Sequence, residues 1–82
     1  MTHFKTLDTR GLSFVNALDL AGRAFSDIRQ NGILELILDK QKDFTVAFKN
    51  WAASQGHKAS DMDEDTRLIR LFIKKGGRKK SG

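Results

Sequence analysis

The stretch Ile33-Leu34-Glu35-Leu36-Ile37-Leu38 decides the fold. It is too short for a helix that stands by itself, and it is bounded by Asn31-Gly32 and Asp39-Lys40, so it reads as a central β-strand. Strand alternation sends Leu34, Leu36 and Leu38 to one face and Ile33, Glu35 and Ile37 to the other. The first set is wholly apolar and belongs to a core. The second carries a charge and belongs to a face of mixed character.

Upstream of this strand, Phe14, Leu18, Ala21, Phe25 and Ile28 recur at helical spacing, which predicts a helix from Phe14 to Gln30. Ser13 suits its N-cap, and Asn31-Gly32 suits its stop, because both residues tolerate positive φ. Downstream, a second helix is expected from Asp43 to Gln55, with Phe44, Ala47, Phe48 and Trp51 on its buried side and Gly56 ending it. The segment from Arg67 to Ile73 alternates again, with Ile69, Leu71 and Ile73 opposed to Leu68, Arg70 and Phe72. Weaker strands are expected at Phe4 to Leu7 and at His57 to Met62, the latter joined to the last strand by a turn at Asp63-Glu64-Asp65.

The order is β-α-β-α-β-β. It predicts an α+β two-layer sandwich, a four-stranded mixed sheet with both helices on one face. Each helix is long enough to return the chain to a neighbouring parallel strand by a right-handed crossover. At 82 residues the chain supports one core, expected over residues 1–75, with a basic tail over residues 76–82.

Apolar residues form 39% of the chain and charged residues 30%, which is the composition of a folded globular domain. No apolar run approaches the roughly 18 residues of a membrane helix, and residues 1–10 lack a signal-peptide core, so a cytoplasmic protein without membrane contact is expected. The absence of cysteine excludes disulfides, thiolate metal sites and thiol nucleophiles together. The net charge of +5 is unevenly placed: removing Lys74, Lys75, Arg78, Lys79 and Lys80 from the fifteen basic residues leaves ten, against ten acidic ones. The surplus belongs to the tail.

Several short stretches together resemble the TusA/SirA-like sulfur-carrier family. They are Leu7-Asp8-Thr9-Arg10-Gly11-Leu12, Asn31-Gly32, Trp51-Ala52 followed by Gly56-His57, and Ile73-Lys74-Lys75-Gly76. The resemblance covers residues 6–77 and implies the same β-α-β-α-β-β fold. In that family a Cys-Pro-x-Pro motif opens the first helix, and its cysteine accepts a persulfide sulfur. The matching positions after Gly11, Leu12 and Ser13 are Phe14, Val15, Asn16 and Ala17, so the cysteine and both prolines are replaced. Phenylalanine has no nucleophilic atom, and the Ser13 hydroxyl has no adjacent base to activate it. The resemblance therefore implies the fold and a setting near sulfur-trafficking or tRNA-thiolation proteins, while the motif positions argue against persulfide chemistry.

Other candidates have ordinary readings. His3 and His57 stand without a cluster of further metal ligands, and both are expected at the surface. Asp61, Asp63, Glu64 and Asp65 lack the spacing of a calcium loop and read as a solvated hairpin turn, or as a docking patch for a basic partner or the chain's own tail. Phe44, Phe48 and Trp51 have helical spacing and belong to the core rather than to a base-stacking platform. No cofactor or metal is expected.

The face bearing Ile33, Glu35, Ile37, Leu68, Arg70 and Phe72 is covered by no predicted element. It is expected to form an apolar patch around a Glu35–Arg70 cross-strand pair, and so to meet a protein partner or a second copy of the chain. The alternative is a weak nucleic-acid interface in which Lys74, Lys75, Arg78, Lys79 and Lys80 grip phosphate. A non-catalytic protein-interaction module is the reading these residues favour.

Overall fold

A computed structural model describes residues 2–76. It contains β1 (Thr2–Asp8), α1 (Phe14–Asp27), β2 (Ile28–Asp39), α2 (Thr45–Ser54), β3 (Lys58–Glu64) and β4 (Leu68–Lys74). The element order and fold class are those expected. The sheet order is β1-β2-β4-β3, with β1 parallel to β2 and β4 antiparallel to both its neighbours.

Leu34, Leu36 and Leu38 of β2 and Ile69, Leu71 and Ile73 of β4 are buried against Ala17, Ala21, Ala24 and Phe25 of α1 and Phe48 and Ala52 of α2. The buried side of α1 contributes three alanines and Phe25, while α2 contributes Phe48 and the half-buried Trp51, with the half-buried Phe44 just before the helix. Ala47 is exposed, contrary to expectation, and Thr45 and Ala52 are buried in the α2 stripe instead.

The two crossovers differ. α1 carries the chain from β1 to its parallel neighbour β2, as expected, but α2 carries it past that position to β3 at the far edge. The last strand then inserts between them. Composition explains this placement: β4 reads Leu-Ile-Arg-Leu-Phe-Ile-Lys and suits a strand paired on both sides, whereas β3 reads Lys-Ala-Ser-Asp-Met-Asp-Glu and suits an edge.

α1 ends three residues before the expected Gln30. Ile28 is already extended, at φ −96° and ψ 136°, and pairs with Thr2 of β1. Asn31 does adopt positive φ, at 69°, but inside β2, where the β1 register shifts between Thr2 and Phe4. At Gly32 a Cβ would lie 2.7 Å from the His3 carbonyl oxygen, so glycine is required by the close approach of β1. α2 begins at Thr45, whose N–H donates to Asp43 Oδ1 at 3.0 Å, and closes in a Schellman turn. There the Gly56 N–H donates to the Ala53 oxygen at 3.1 Å and the His57 N–H to the Ala52 oxygen at 2.8 Å, with Gly56 at φ +84°.

The hairpin turn also sits later than expected, because β3 runs on through Glu64. Asp65 makes the turn: its Oδ1 accepts from the N–H groups of Arg67 at 2.7 Å and Leu68 at 2.9 Å. Those two bonds hold its carboxyl below the usual carboxylate range. No helix among the described residues is long and apolar enough to cross a membrane.

Candidate functional site

Both helices pack on one face of the sheet, and among the described residues no element covers the other, bare face. Three rows of side chains cross it in the order β1, β2, β4, β3. The registers place Phe4, Ile33, Lys74 and Lys58 in the first row, Thr6, Glu35, Phe72 and Asp61 in the second, and Asp8, Ile37, Arg70 and Asp63 in the third. Leu68 follows beyond them, opposite Asp39. The six residues expected to bind a partner, Ile33, Glu35, Ile37, Leu68, Arg70 and Phe72, are thus on one surface, each half-buried by its neighbours.

The centre of this face is polar and fixed. Glu35 Oε2 pairs with Arg70 Nε at 3.3 Å, and Thr6 Oγ1 donates to Glu35 Oε1 at 2.7 Å. With both carboxylate oxygens engaged, the Glu35 side chain is only 14% exposed. Phe72 lies between Glu35 on one strand and Asp61 on the other. Among the described residues Asp61 and Asp63 form no ion pair, and each accepts only the N–H of the residue that follows it. The β3 side of the face therefore sets an aromatic ring beside Asp61, whose carboxylate has no ion-pair partner among the described residues, with Arg70 and Lys74 flanking the ring along β4 and Lys58 next to Lys74, so both signs of charge border Phe72.

The seven positions from Gly11 to Ala17 form the β1–α1 turn and the first turn of α1. Thr9 pins this turn, its N–H and its hydroxyl both donating to the Ile37 oxygen, at 2.9 Å and 2.7 Å. Gly11 has φ +82°, which glycine adopts without strain. Ser13 caps α1 as expected, accepting from the Asn16 N–H at 3.2 Å. Phe14 packs edge-on against Phe44 at 5.3 Å and Phe48 at 5.1 Å between ring centroids. Leu12 is half-buried, Val15 and Asn16 are exposed, and Ala17 is fully buried. At this end of the helix the Ser13 hydroxyl serves as a cap and the Phe14 ring is a packing element.

Two residues of the C-terminal basic run, Lys74 and Lys75, fall within the described chain, and their environments differ. Lys74 is exposed on the bare face. Lys75 is not a surface cation: its Nζ donates to the Phe25 oxygen at 2.7 Å and the Ile28 oxygen at 2.6 Å, capping the C-terminal end of α1. Gly76 is packed as well, close to the Gly56 carbonyl and bonded to His57. Arg78, Lys79 and Lys80 lie outside the described residues.

His57 corrects the expectation of a surface histidine. Half-buried, it stacks on Phe25 with ring centroids 4.2 Å apart, and its Nδ1 accepts from the Gly76 N–H at 3.1 Å. Burial, with Lys75 nearby, pushes its pKa below the ordinary value. No group of three or more potential metal ligands occurs among the described residues. The Gly56-His57 pair was the one local hint of this contact set, because His57, Lys75 and Phe25 meet only through tertiary packing.

Neither protein-family models nor curated proteins yield a match to this chain. Fold and site together define it as a four-stranded α+β sandwich with one sheet face left uncovered by its helices.

Proposed function

We propose that this chain is a non-catalytic, cytoplasmic protein-docking module of TusA/SirA-like build, which engages a partner through the bare face of its sheet. The setting that the resemblance supplies is sulfur trafficking or tRNA thiolation. The observation that carries the reading is Phe72 held between Glu35 and Asp61, with Ile33, Ile37 and Leu68 around it. Such a surface suits a partner segment that combines apolar side chains with lysine or arginine. The ring of Phe14 where a carrier would need a thiolate, and the use of Ser13 as a cap, support the non-catalytic part of the reading.

The nucleic-acid alternative would have Lys74 and Lys58 on the same face at its disposal, but it asks phosphate to approach past Asp61 and Asp63, and it cannot use the Lys75 ammonium without uncapping α1. Capture from native lysate on the full chain, with and without nuclease, compares the two. Partners that survive nuclease and are lost with Phe72→Glu and with Asp61→Lys support docking through this face. Partners that vanish with nuclease, or that bind Asp61→Lys more strongly at low salt, overturn it in favour of nucleic acid. A protein-bound persulfide formed from a sulfur donor would overturn the non-catalytic assignment.

A further inference from the structure

Away from the bare face, the ends of both helices, the start of β3 and the end of β4 converge on one histidine. His57 directly follows the Schellman turn of α2. From α1 it meets the flat ring of Phe25, and from α2 the edge of Trp51, with centroids 6.3 Å apart. From the end of β4 come the Gly76 N–H, donating to Nδ1 at 3.1 Å, and the ammonium of Lys75. Gly76 is held close: a Cβ on it would lie 1.7 Å from the Gly56 carbonyl oxygen, so the segment lies directly on the backbone that ends α2. Lys75 is fixed in turn by the carbonyl oxygens of Phe25 and Ile28 at the end of α1.

We propose that His57, Lys75 and Gly76 form a proton-operated clasp, which holds the end of β4 onto both helix termini and loosens when His57 takes up a proton. The Gly76 bond requires an unprotonated Nδ1, since a protonated one is itself a donor and would face the Gly76 N–H donor to donor. The imidazolium would also add a second positive charge beside Lys75. Among the described residues no ion pair reaches either group to offset it. The other groups packed on the ring, Phe25 and Trp51, do not titrate. A cation over Phe25 gains a little from the ring face, which acts against opening. The lost hydrogen bond and the Lys75 repulsion act together in the opposite sense, and the lowered pKa of His57 agrees in sign with their dominance.

Because the folded-state pKa lies below the ordinary 6.5, the clasp is whole above that pH and is lost as pH falls through the folded-state value.

Nuclear magnetic resonance on the full chain tests the clasp. The His57 ring protons and the heteronuclear NOE of the Gly76 amide are followed from about pH 7.5 to about pH 4.5, a range that spans an ordinary histidine titration. The expected result is a fall in the Gly76 NOE with the same midpoint as the His57 ring, while the amides of β2 keep their shifts. In His57→Phe, which keeps the stack and lacks the acceptor, the Gly76 NOE should be low throughout. In His57→Asn, whose Oδ1 can replace Nδ1 as an acceptor that does not titrate, it should not follow pH. A Gly76 NOE that stays constant while the His57 ring titrates would overturn the proposal, as would an unchanged pH response in His57→Asn.

Discussion

Glu35 and Arg70 are bonded along a diagonal of the sheet, not across a rung. The residue directly opposite Glu35 is Phe72, and the residue directly opposite Arg70 is Ile37, so the ion pair runs obliquely between two apolar side chains. This geometry places charge and ring side by side on the same pair of strands, and it gives the bare face a fixed polar centre rather than an open apolar sheet.

Arg70→Ala should therefore cost little in stability, about 0.5 kcal/mol, because Arg70 is substantially exposed and Glu35 keeps its bond from Thr6. Urea denaturation of the variant reads this directly. A loss of about 3 kcal/mol, the scale for breaking a buried pair, would mean that the face is covered by something in solution.

Truncation should separate the two faces of β2. Leu36→Ala, at a fully buried position, should lose roughly 2–5 kcal/mol, while Ile37→Ala, half-buried on the bare face, should lose about 1 kcal/mol. Denaturant midpoints of the two variants, at equal slope, test the assignment of faces.

Two glycines should respond in opposite directions to a methyl group. Gly22 lies in α1 with open space around its Cβ position, so Gly22→Ala should stabilise by about 0.5–1 kcal/mol. Gly76→Ala would drive its methyl into the Gly56 backbone and should cost about 1–3 kcal/mol through the shift it forces. Thermal unfolding of both variants at one pH is sufficient.

The cap on α1 makes a smaller claim. Ser13→Ala removes the acceptor for the Asn16 N–H and should lower stability by about 1 kcal/mol, while Ser13→Asp should preserve it. Circular dichroism melts of the pair distinguish a lost cap from a general effect of substitution.

Acid should loosen the β3–β4 hairpin through Asp65. Its carboxylate is bonded by two backbone N–H groups and sits below the ordinary pKa, so its contribution is complete above about pH 4 and is lost as pH falls through the lower folded-state value. The difference in melting temperature between wild type and Asp65→Asn should shrink between about pH 5 and about pH 3. A difference that stays constant over that range would assign the turn's stability to geometry rather than charge.

The alternation in Ile33 to Leu38 and in Leu68 to Ile73 made both sheet faces legible, because a period of two leaves no other assignment of those side chains. The Ser13 cap and the Gly56 stop were legible for the same local reason. Strand order was not, since nothing local to β3 states whether it will lie beside β2 or beyond β4. The end of α1 was misplaced because Asn31-Gly32 signals positive φ without saying whether a helix or a bulged strand will use it. Lys75 read as part of a basic run, and only its approach to the Phe25 and Ile28 carbonyls distinguishes it from Lys74 beside it.

The sheet has two unlike margins. β3 presents Asp61, Asp63 and Glu64 along its length, and a strand from another molecule that tried to add there would meet concentrated negative charge. β1 carries fewer acidic side chains among the described residues, with Lys5 and Asp8 as its charged positions. A strand that added to this sheet would therefore meet less negative charge along β1 than along β3.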